Sequence, residues 1–361
     1  MKNNPFINFI KLDGVSNPYS MHGIYPYRGK ISALDAQNVI AQLPKDGVLL
    51  DPFCGSGTIV YEAQKHGLTA FGIDNNPLAV QLSKAKVYRE TGNSLNDATY
   101  YVSGAKEALS SLDFTPMDSV PARNFHPDTA NEIMCVKKYF AEMNDFLKGV
   151  FYGTIALAAR GCNDYMWTSS TVGKNIEPKK YINFFDKFIL KVKKHSKFLN
   201  PLDCKPATII EGDSRKISSL LSHKTVDYVF TSPPYFDGLD YTAYYGKIIY
   251  EIFCADRQKI KKQLIQSVDT YKADMTKVIY ELNKVLKDTS LSIFVVGDKK
   301  LNGKVVNGGD FFNNIQIASY IEERKYSKSS SKVFDVLNKT DRKEQIVVWD
   351  RVEGELIKYG K

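Results

Sequence analysis

Short apolar runs that end on a carboxylate alternate with amphipathic stretches over the first ninety residues. Gly47-Val-Leu-Leu-Asp51 reads as a buried strand. Upstream of it, Ala36, Val39, Ile40 and Leu43 fall at helical spacing, and Ser32 with Asp35 three residues later resembles a capping box. A glycine turn, Phe53-Cys-Gly-Ser-Gly-Thr58, leads into a helix over 59–65 that Gly67 can close. Thr69-Ala-Phe-Gly-Ile-Asp74 is a second strand, and Pro77 opens a helix running to about Arg89. This β-α-β-α order favours a parallel sheet with helices on its faces.

The rhythm stops at about residue 92 and resumes near 206. Between them lies a helical, aromatic and basic stretch without strands. Beyond it come a strand over 207–212, a helix near 215–222, and a strand over 226–231 that runs into Ser232-Pro-Pro-Tyr235. Met275, Val278, Ile279, Leu282, Val285 and Leu286 form one stripe of a long helix, and 290–296 is a further buried strand. The tail holds two β-rich runs, 332–337 and 345–349, expected to pair antiparallel. The pattern predicts one interrupted α/β unit over 1–91 and 206–361, with an inserted, mainly helical region over 92–205.

The glycine turn carries the first chemistry. It follows a strand and opens a helix, where open α/β sheets bind ligands. Gly55 and Gly57 permit tight turning and close backbone approach. Asp74, at the next strand tip, can accept from a ribose diol, and Asp51 from an ammonium group. S-adenosylmethionine has both. Three other readings compete: a structural turn, a dinucleotide loop, and an acid/base pair of Asp51 and Asp74. Val60 stands where a dinucleotide loop needs a small residue.

Thr231-Ser-Pro-Pro-Tyr235 is the second feature. Consecutive prolines fix φ and remove two backbone donors, leaving rigid carbonyl acceptors. Ser232 and such a carbonyl can accept from the two hydrogens of an exocyclic amine, and Tyr235 offers a face for a base. The competing reading is a proline-stiffened strand exit beside a core tyrosine.

Together, Asp51-Pro-Phe-Cys-Gly-Ser-Gly-Thr58 and Ser232-Pro-Pro-Tyr235 resemble the exocyclic-amino DNA methyltransferases, which modify N4 of cytosine or N6 of adenine. His22-Gly-Ile-Tyr-Pro-Tyr-Arg-Gly-Lys-Ile-Ser32, Gly72-Ile-Asp-Asn-Asn-Pro77 and Gly212-Asp-Ser214 resemble three further family segments. The resemblance spans about 1–90 and 206–350. It implies a Rossmann-like class I methyltransferase fold, a mostly parallel seven-stranded sheet with an inserted helical domain. It also implies S-adenosylmethionine as cofactor, held by Tyr25, Asp51, Phe53, Cys54, Gly55, Gly57, Thr58, Asp74, Asn75, Asp213 and Ser214. Ser232, Pro233, Pro234 and Tyr235 become the catalytic residues, with Phe236, Asp237, Asp240 and Tyr241 shaping the target pocket. Asp240 has two readings, a bond to the base or a local cap. Serine at the first catalytic position is commoner among N4-cytosine members, so the resemblance favours cytosine N4. Adenine N6 is the alternative, and an RNA guanine-N2 methyltransferase or an inactive binding protein are more distant ones.

Charge sharpens the partner. The 361 residues carry a net +9, with 43% hydrophobic and 25% charged residues. Ten Lys and Arg against four Asp and Glu give the stretch 151–205 a net charge of +6. Lys179, Lys180, Lys187, Lys191, Lys193, Lys194 and Lys197 are candidate phosphate contacts. Tyr181, Phe184, Phe185 and Phe188 fit a core face better than base stacking. Residues 163–170 and 173–175 form a polar loop able to reach base edges. The partner implied is double-stranded DNA with the target base flipped, with a restriction endonuclease as a possible companion. Five scattered Cys, no Cys-x-x-Cys or His-Glu-x-x-His, and no Pro-Cys dipeptide argue against structural zinc, metal hydrolysis and carbon-5 methylation. Without an apolar leader or long apolar run the expected address is the cytoplasm, with no membrane partner and no metal.

Overall fold

The structure, a computed structural model, describes residues 20–27, 31–90, 92–165, 176–234, 240–243, 245–301, 304–325 and 343–357. Its strands are β1 (Val48–Asp51), β2 (Thr69–Asp74), β3 (Ala207–Glu211), β4 (Val226–Thr231), β5 (Leu286–Gly297), β6 (Lys299–Leu301), β7 (Lys304–Val306), β8 (Tyr320–Lys325), β9 (Lys343–Val352) and β10 (Glu355–Leu356). β3-β2-β1-β4-β5 run parallel. β9 joins antiparallel to β5, and β8 and the two-residue β10 lie antiparallel to β9, completing an eight-stranded sheet. Seven of these form the expected α/β methyltransferase sheet, and β10 is the addition. β6 and β7 form a separate hairpin. Of the expected closing pair, 345–349 lies within β9. Residues 332–337 fall outside the described residues, and β9 pairs instead with β8.

Helices α1 (Ala33–Ile40), α2 (Thr58–His66) and α3 (Pro77–Val87) precede the insertion. The insertion holds α4 (Ser94–Ser110), α5 (Ser119–Ala122), α6 (Pro127–Lys137), α7 (Asp145–Cys162) and α8 (Phe184–His195). After it come α9 (Ile217–Leu220), α10 (Tyr245–Ile252), α11 (Arg257–Gln263), α12 (Tyr271–Val285) and α13 (Gly308–Asn313). Ser32 is the α1 N-cap, but its side chain makes no capping bond.

Side-chain alternation sorts each strand between two cores. Leu49, Phe230, Ile293, Val295, Ile346 and Val348 face one, and Leu50, Val229, Phe294, Val296, Val347 and Trp349 the other. The second core is closed by α9, α12 and α13, with Met275, Val278, Ile279, Leu282 and Val285 buried along α12. Leu286, expected on that stripe, begins β5.

The first core is shared with the insertion. Ala98, Ile133, Phe146, Phe151 and Phe184 belong to the same apolar cluster as Leu49, so the inserted helices have no separate interior. Phe184, Phe185 and Phe188 are buried as the pattern predicts, with Phe184 and Phe188 edge-on to Phe151 at 5.6 and 6.1 Å. Tyr181 instead stands before α8, 47% exposed, donating to Glu132. Gly153 of α7 lets the segment before α1 pass directly over it. A Cβ there would lie 1.8 Å from the Ile24 carbonyl oxygen. Among the described residues no helix is long and apolar enough to cross a membrane.

Candidate active site

Strand order reverses at β1, which has β2 on one side and β4 on the other, so a crevice opens at their carboxyl ends. Asp51 and Asp74 are the last residues of β1 and β2, and Ser232 directly follows β4. A cleft lies across these ends, lined by Tyr27, Phe53, Gly55, Asp74, Asn75, Asn76, Asp213, Ser214, Ser232, Pro234, Tyr241, Leu264 and Ile265. A smaller cavity adjoins it, walled by Asp51, Cys54, Ser56, Thr58, Ile31 and Ile59, and shares Tyr27, Phe53, Gly55 and Ser232 with the cleft. The glycine turn and the proline corner therefore face one continuous space.

Both strand-end carboxylates are wired into the backbone. Asp74 accepts from the Gly55 N–H through Oδ2 at 2.9 Å and from the Asn76 N–H through Oδ1 at 2.9 Å. Burial pushes its carboxyl up to about 6. Asp51 Oδ1 accepts from the Thr231 hydroxyl at 2.7 Å and the Phe53 N–H at 3.1 Å. No described residue donates to its Oδ2. Desolvation is the largest influence on Asp51 and lifts it to about 7, against the lowering effect of those two bonds. A cation brought to Asp51 would restore its charge. An ammonium with a ribose diol beside it therefore fits these two positions.

The turn between them is held from behind. Gly57 has φ +74°, and a Cβ on it would lie 2.8 Å from the Ser83 backbone, so both conformation and space demand glycine. Ser83 donates to the Gly55 carbonyl at 2.8 Å. Lys86, fully buried, donates to Ser56 Oγ at 3.2 Å and Thr58 Oγ1 at 3.4 Å and approaches His22 Nδ1, whose other ring nitrogen meets Glu62 at 2.6 Å. Burial raises the Cys54 thiol well above its usual range, which leaves it inert.

The opposite wall is held by side chains. Tyr271, at the start of α12, donates to the Pro234 carbonyl at 2.6 Å, and its ring packs against Phe311 at 5.4 Å. Pro233 is buried, while Ser232 and Pro234 line the cleft. Asn75 donates to the Gln263 carbonyl at 2.8 Å, and Asn76 accepts from the Tyr250 hydroxyl. Ser214 donates to the Pro52 carbonyl. Burial alone would raise Asp213, but its bonds from Arg215 outweigh that and hold it below the usual range.

Three sequence assignments shift. Tyr25 points into the apolar core and does not line the space; Tyr27, two residues on, lines both cavities. Gly57 also stays off both linings, serving the turn's shape. Asp240 is absent from the walls: Thr242 binds its Oδ1, and Arg257 and Lys261 grip its Oδ2 at 2.6 and 2.8 Å. That supports the local reading of Asp240 over a bond to a base. Tyr241 lines the cleft as expected, whereas Tyr235, Phe236 and Asp237 lie outside the described residues, as does 166–175. Leu264 and Ile265 were not foreseen, and an apolar pair after a lysine-rich helix gives no sequence signal for a pocket wall.

Residues 34–300 match the family model described as D12 class N6 adenine-specific DNA methyltransferase. The type II methyltransferase M.MvaI of Kocuria varians is 26% identical over 226 residues, covering 56% of this chain and 49% of that protein. The type II methyltransferase M.MjaII of Methanocaldococcus jannaschii is 31% identical over 70 residues, 19% of this chain and 13% of that protein. The chain thus spans about half the length of the first relative and less of the second. Among solved structures, the rRNA methyltransferase aviRa from Streptomyces viridochromogenes aligns at TM-score 0.34 and 12% identity over 90% of this chain and 87% of that one.

Proposed function

Because the chain belongs to the D12 class N6 adenine-specific DNA methyltransferase family, we propose that it methylates an exocyclic amino group of a base in DNA. The family uses S-adenosylmethionine, which supplies an electrophilic sulfonium methyl when bound. The observation that carries the reading is the space shared by Gly55 and Ser232. In this reading Asp51 accepts from the cofactor's ammonium, Asp74 from its ribose, and Asp213 and Ser214 border its adenine. Phe53, Cys54, Gly55, Thr58 and Asn75 complete the enclosure, and Tyr27 takes the place assigned to Tyr25.

Ser232 Oγ, which no described residue binds, and the Pro233 carbonyl accept from the two hydrogens of the target amine. That pair of bonds draws the nitrogen lone pair out of conjugation with the ring and aims it along the cleft. Proximity supplies part of the rate, and acceptors placed where positive charge develops supply more. The target amine is inaccessible in a paired duplex, so the base is extruded into the cleft. Tyr235 belongs to this reading through its place in the motif.

Cytosine N4 is the atom we favour, on Ser232 in its Thr-Ser-Pro-Pro setting. Adenine N6 is the second reading, supported by the family's description. The type II names of both relatives support a restriction endonuclease companion. Incubating the protein with isotopically labelled S-adenosylmethionine and DNA from a methylation-free host, then resolving nucleosides by mass spectrometry, separates these readings. N4-methylcytosine is expected, N6-methyladenine selects the second reading, and label in neither overturns both.

A further inference from the structure

Three of the insertion's seven candidate lysines are buried or engaged, while Lys193, Lys194 and Lys197 stay exposed. Lys179 is 8% exposed and donates to Asn163 at 2.7 Å, Lys180 pairs with Asp164, and burial lowers Lys191 to about 8. A second basic element stands at the mouth of the cleft. Helix α11 carries Arg257, Lys259, Lys261 and Lys262 within six residues, with no acidic residue among them. Both its ends are fixed to the cleft wall. Asp240, next to the lining residue Tyr241, grips Arg257 and Lys261. At the other end, Gln263 accepts from Asn75, and the chain continues directly into Leu264 and Ile265 of the lining.

A single carboxylate thus pins two of the four cations, while Lys259 and Lys262 are exposed and form no ion pair among the described residues. Lys261 keeps 42% of its side chain exposed despite its pairing. The helix thus presents exposed positive charge beside the cleft wall that Leu264 and Ile265 form. An extruded nucleotide leaves its flanking phosphates at the pocket mouth. We propose that the ridge Arg257–Lys262 grips the phosphates flanking the target base in duplex DNA, with Asp240 as the residue that orients it. The proposal rests on the DNA reading above and names the surface that reading lacks. It moves the principal phosphate contact from α8 to α11.

The test compares two charge-reversed proteins, Lys259→Glu with Lys262→Glu on α11 and Lys193→Glu with Lys197→Glu beyond the cleft. All four side chains are exposed, so folding is preserved. Binding to a labelled duplex is measured across a salt series, alongside S-adenosylmethionine affinity. The α11 pair is expected to weaken duplex binding by at least about tenfold and to reduce the log–log salt slope by about 2, the value for two lost phosphate contacts. Its cofactor affinity stays within twofold, and the comparison pair stays within twofold in both. An unchanged slope in the α11 pair, or an equal loss in the other, overturns the proposal. Tighter binding of single-stranded RNA of the same sequence, equally sensitive to the α11 pair, overturns the choice of duplex DNA. Intact duplex binding by a wild-type protein that transfers no methyl would count against the reaction and leave the ridge standing.

Discussion

The two walls of the cleft are built by different means. On the β1–β2 side, carboxylates at strand ends clamp backbone N–H groups: Asp74 takes those of Gly55 and Asn76, and Asp51 takes that of Phe53. On the β4 side, consecutive prolines have removed the backbone donors, so remote side chains do the holding. Tyr271 reaches Pro234, and Arg257 and Lys261 reach Asp240. A wall fixed by its own backbone is a rigid receptor. A wall fixed by side-chain tethers from later helices can be tuned one contact at a time, as would suit the side proposed to admit an extruded base. Damage to the first wall should appear in cofactor affinity, and damage to the second in turnover.

The largest separation is expected from Ser232→Ala. Removing the acceptor at the reacting amine should lower turnover on the order of 100-fold, the scale for one lost electrostatic partner in a preorganised site. Cofactor affinity, measured by calorimetry, should stay within about twofold. Comparable losses in both would mean that the proline corner belongs to the cofactor's wall.

Asp51→Asn comes next and acts on the opposite wall. Losing a charged acceptor is worth about 1.5–3 kcal/mol, which corresponds to a roughly 10- to 100-fold weaker S-adenosylmethionine affinity. The pH dependence gives a sharper signature. Asp51 moves from 3.8 to about 7 on folding, so the folded chain binds the proton more tightly. The stability this contributes is complete below the unfolded value and is lost as pH rises through about 7. An ammonium ligand needs the carboxylate form, so cofactor affinity should move the other way, tightening across that same interval. Asn at this position should flatten the profile, and a flat wild-type profile would remove Asp51 from the ammonium site.

The same contrast explains what the sequence revealed. Asp51 and Gly55 were legible because a strand end, a turn and a helix start lie within a few residues, and Asp74 because it ends the next strand, 19 residues beyond Gly55. Ser232 was legible through its prolines for the same reason. Tyr271 stands 37 residues beyond Pro234 and Gln263 stands 188 beyond Asn75, so their pairing exists only once the sheet is assembled. Tyr25 and Tyr27 share a motif, and which ring is buried depends on how that segment packs over the inserted helices, close against Gly153. Charge counting is blind to burial for a related reason. It registers where lysines are dense along the chain, whereas burial withdraws Lys179 and Lys191 and leaves the shorter α11 exposed at the rim. Strands β1 to β5 and β9 were legible, since alternation is a local signal, whereas β6, β7, β8 and β10 were not. The shared core of sheet and insertion was not, because nothing in the helical pattern says which partner a buried face will meet.

Tyr271→Phe tests the tethered wall at one atom. The ring and its packing against Phe311 remain, while the bond to the Pro234 carbonyl is lost. A neutral hydrogen bond is worth about 0.5–1.5 kcal/mol, so turnover should fall about fivefold with cofactor affinity unchanged. Unchanged turnover would show that the prolines alone suffice to hold the corner.

Asn75→Ala should have the smallest effect and the most mixed one. Its amide leaves the β2 wall to meet the Gln263 carbonyl, at the base of the lysine ridge, so it joins the two constructions. The contact is solvent-exposed, and its loss should change affinities only about twofold. Yet both cofactor and duplex binding should shift together, because the contact joins the two walls. A shift in cofactor affinity alone would mean that the walls are mechanically independent, and that α11 holds its place at the rim through Asp240 without help from β2.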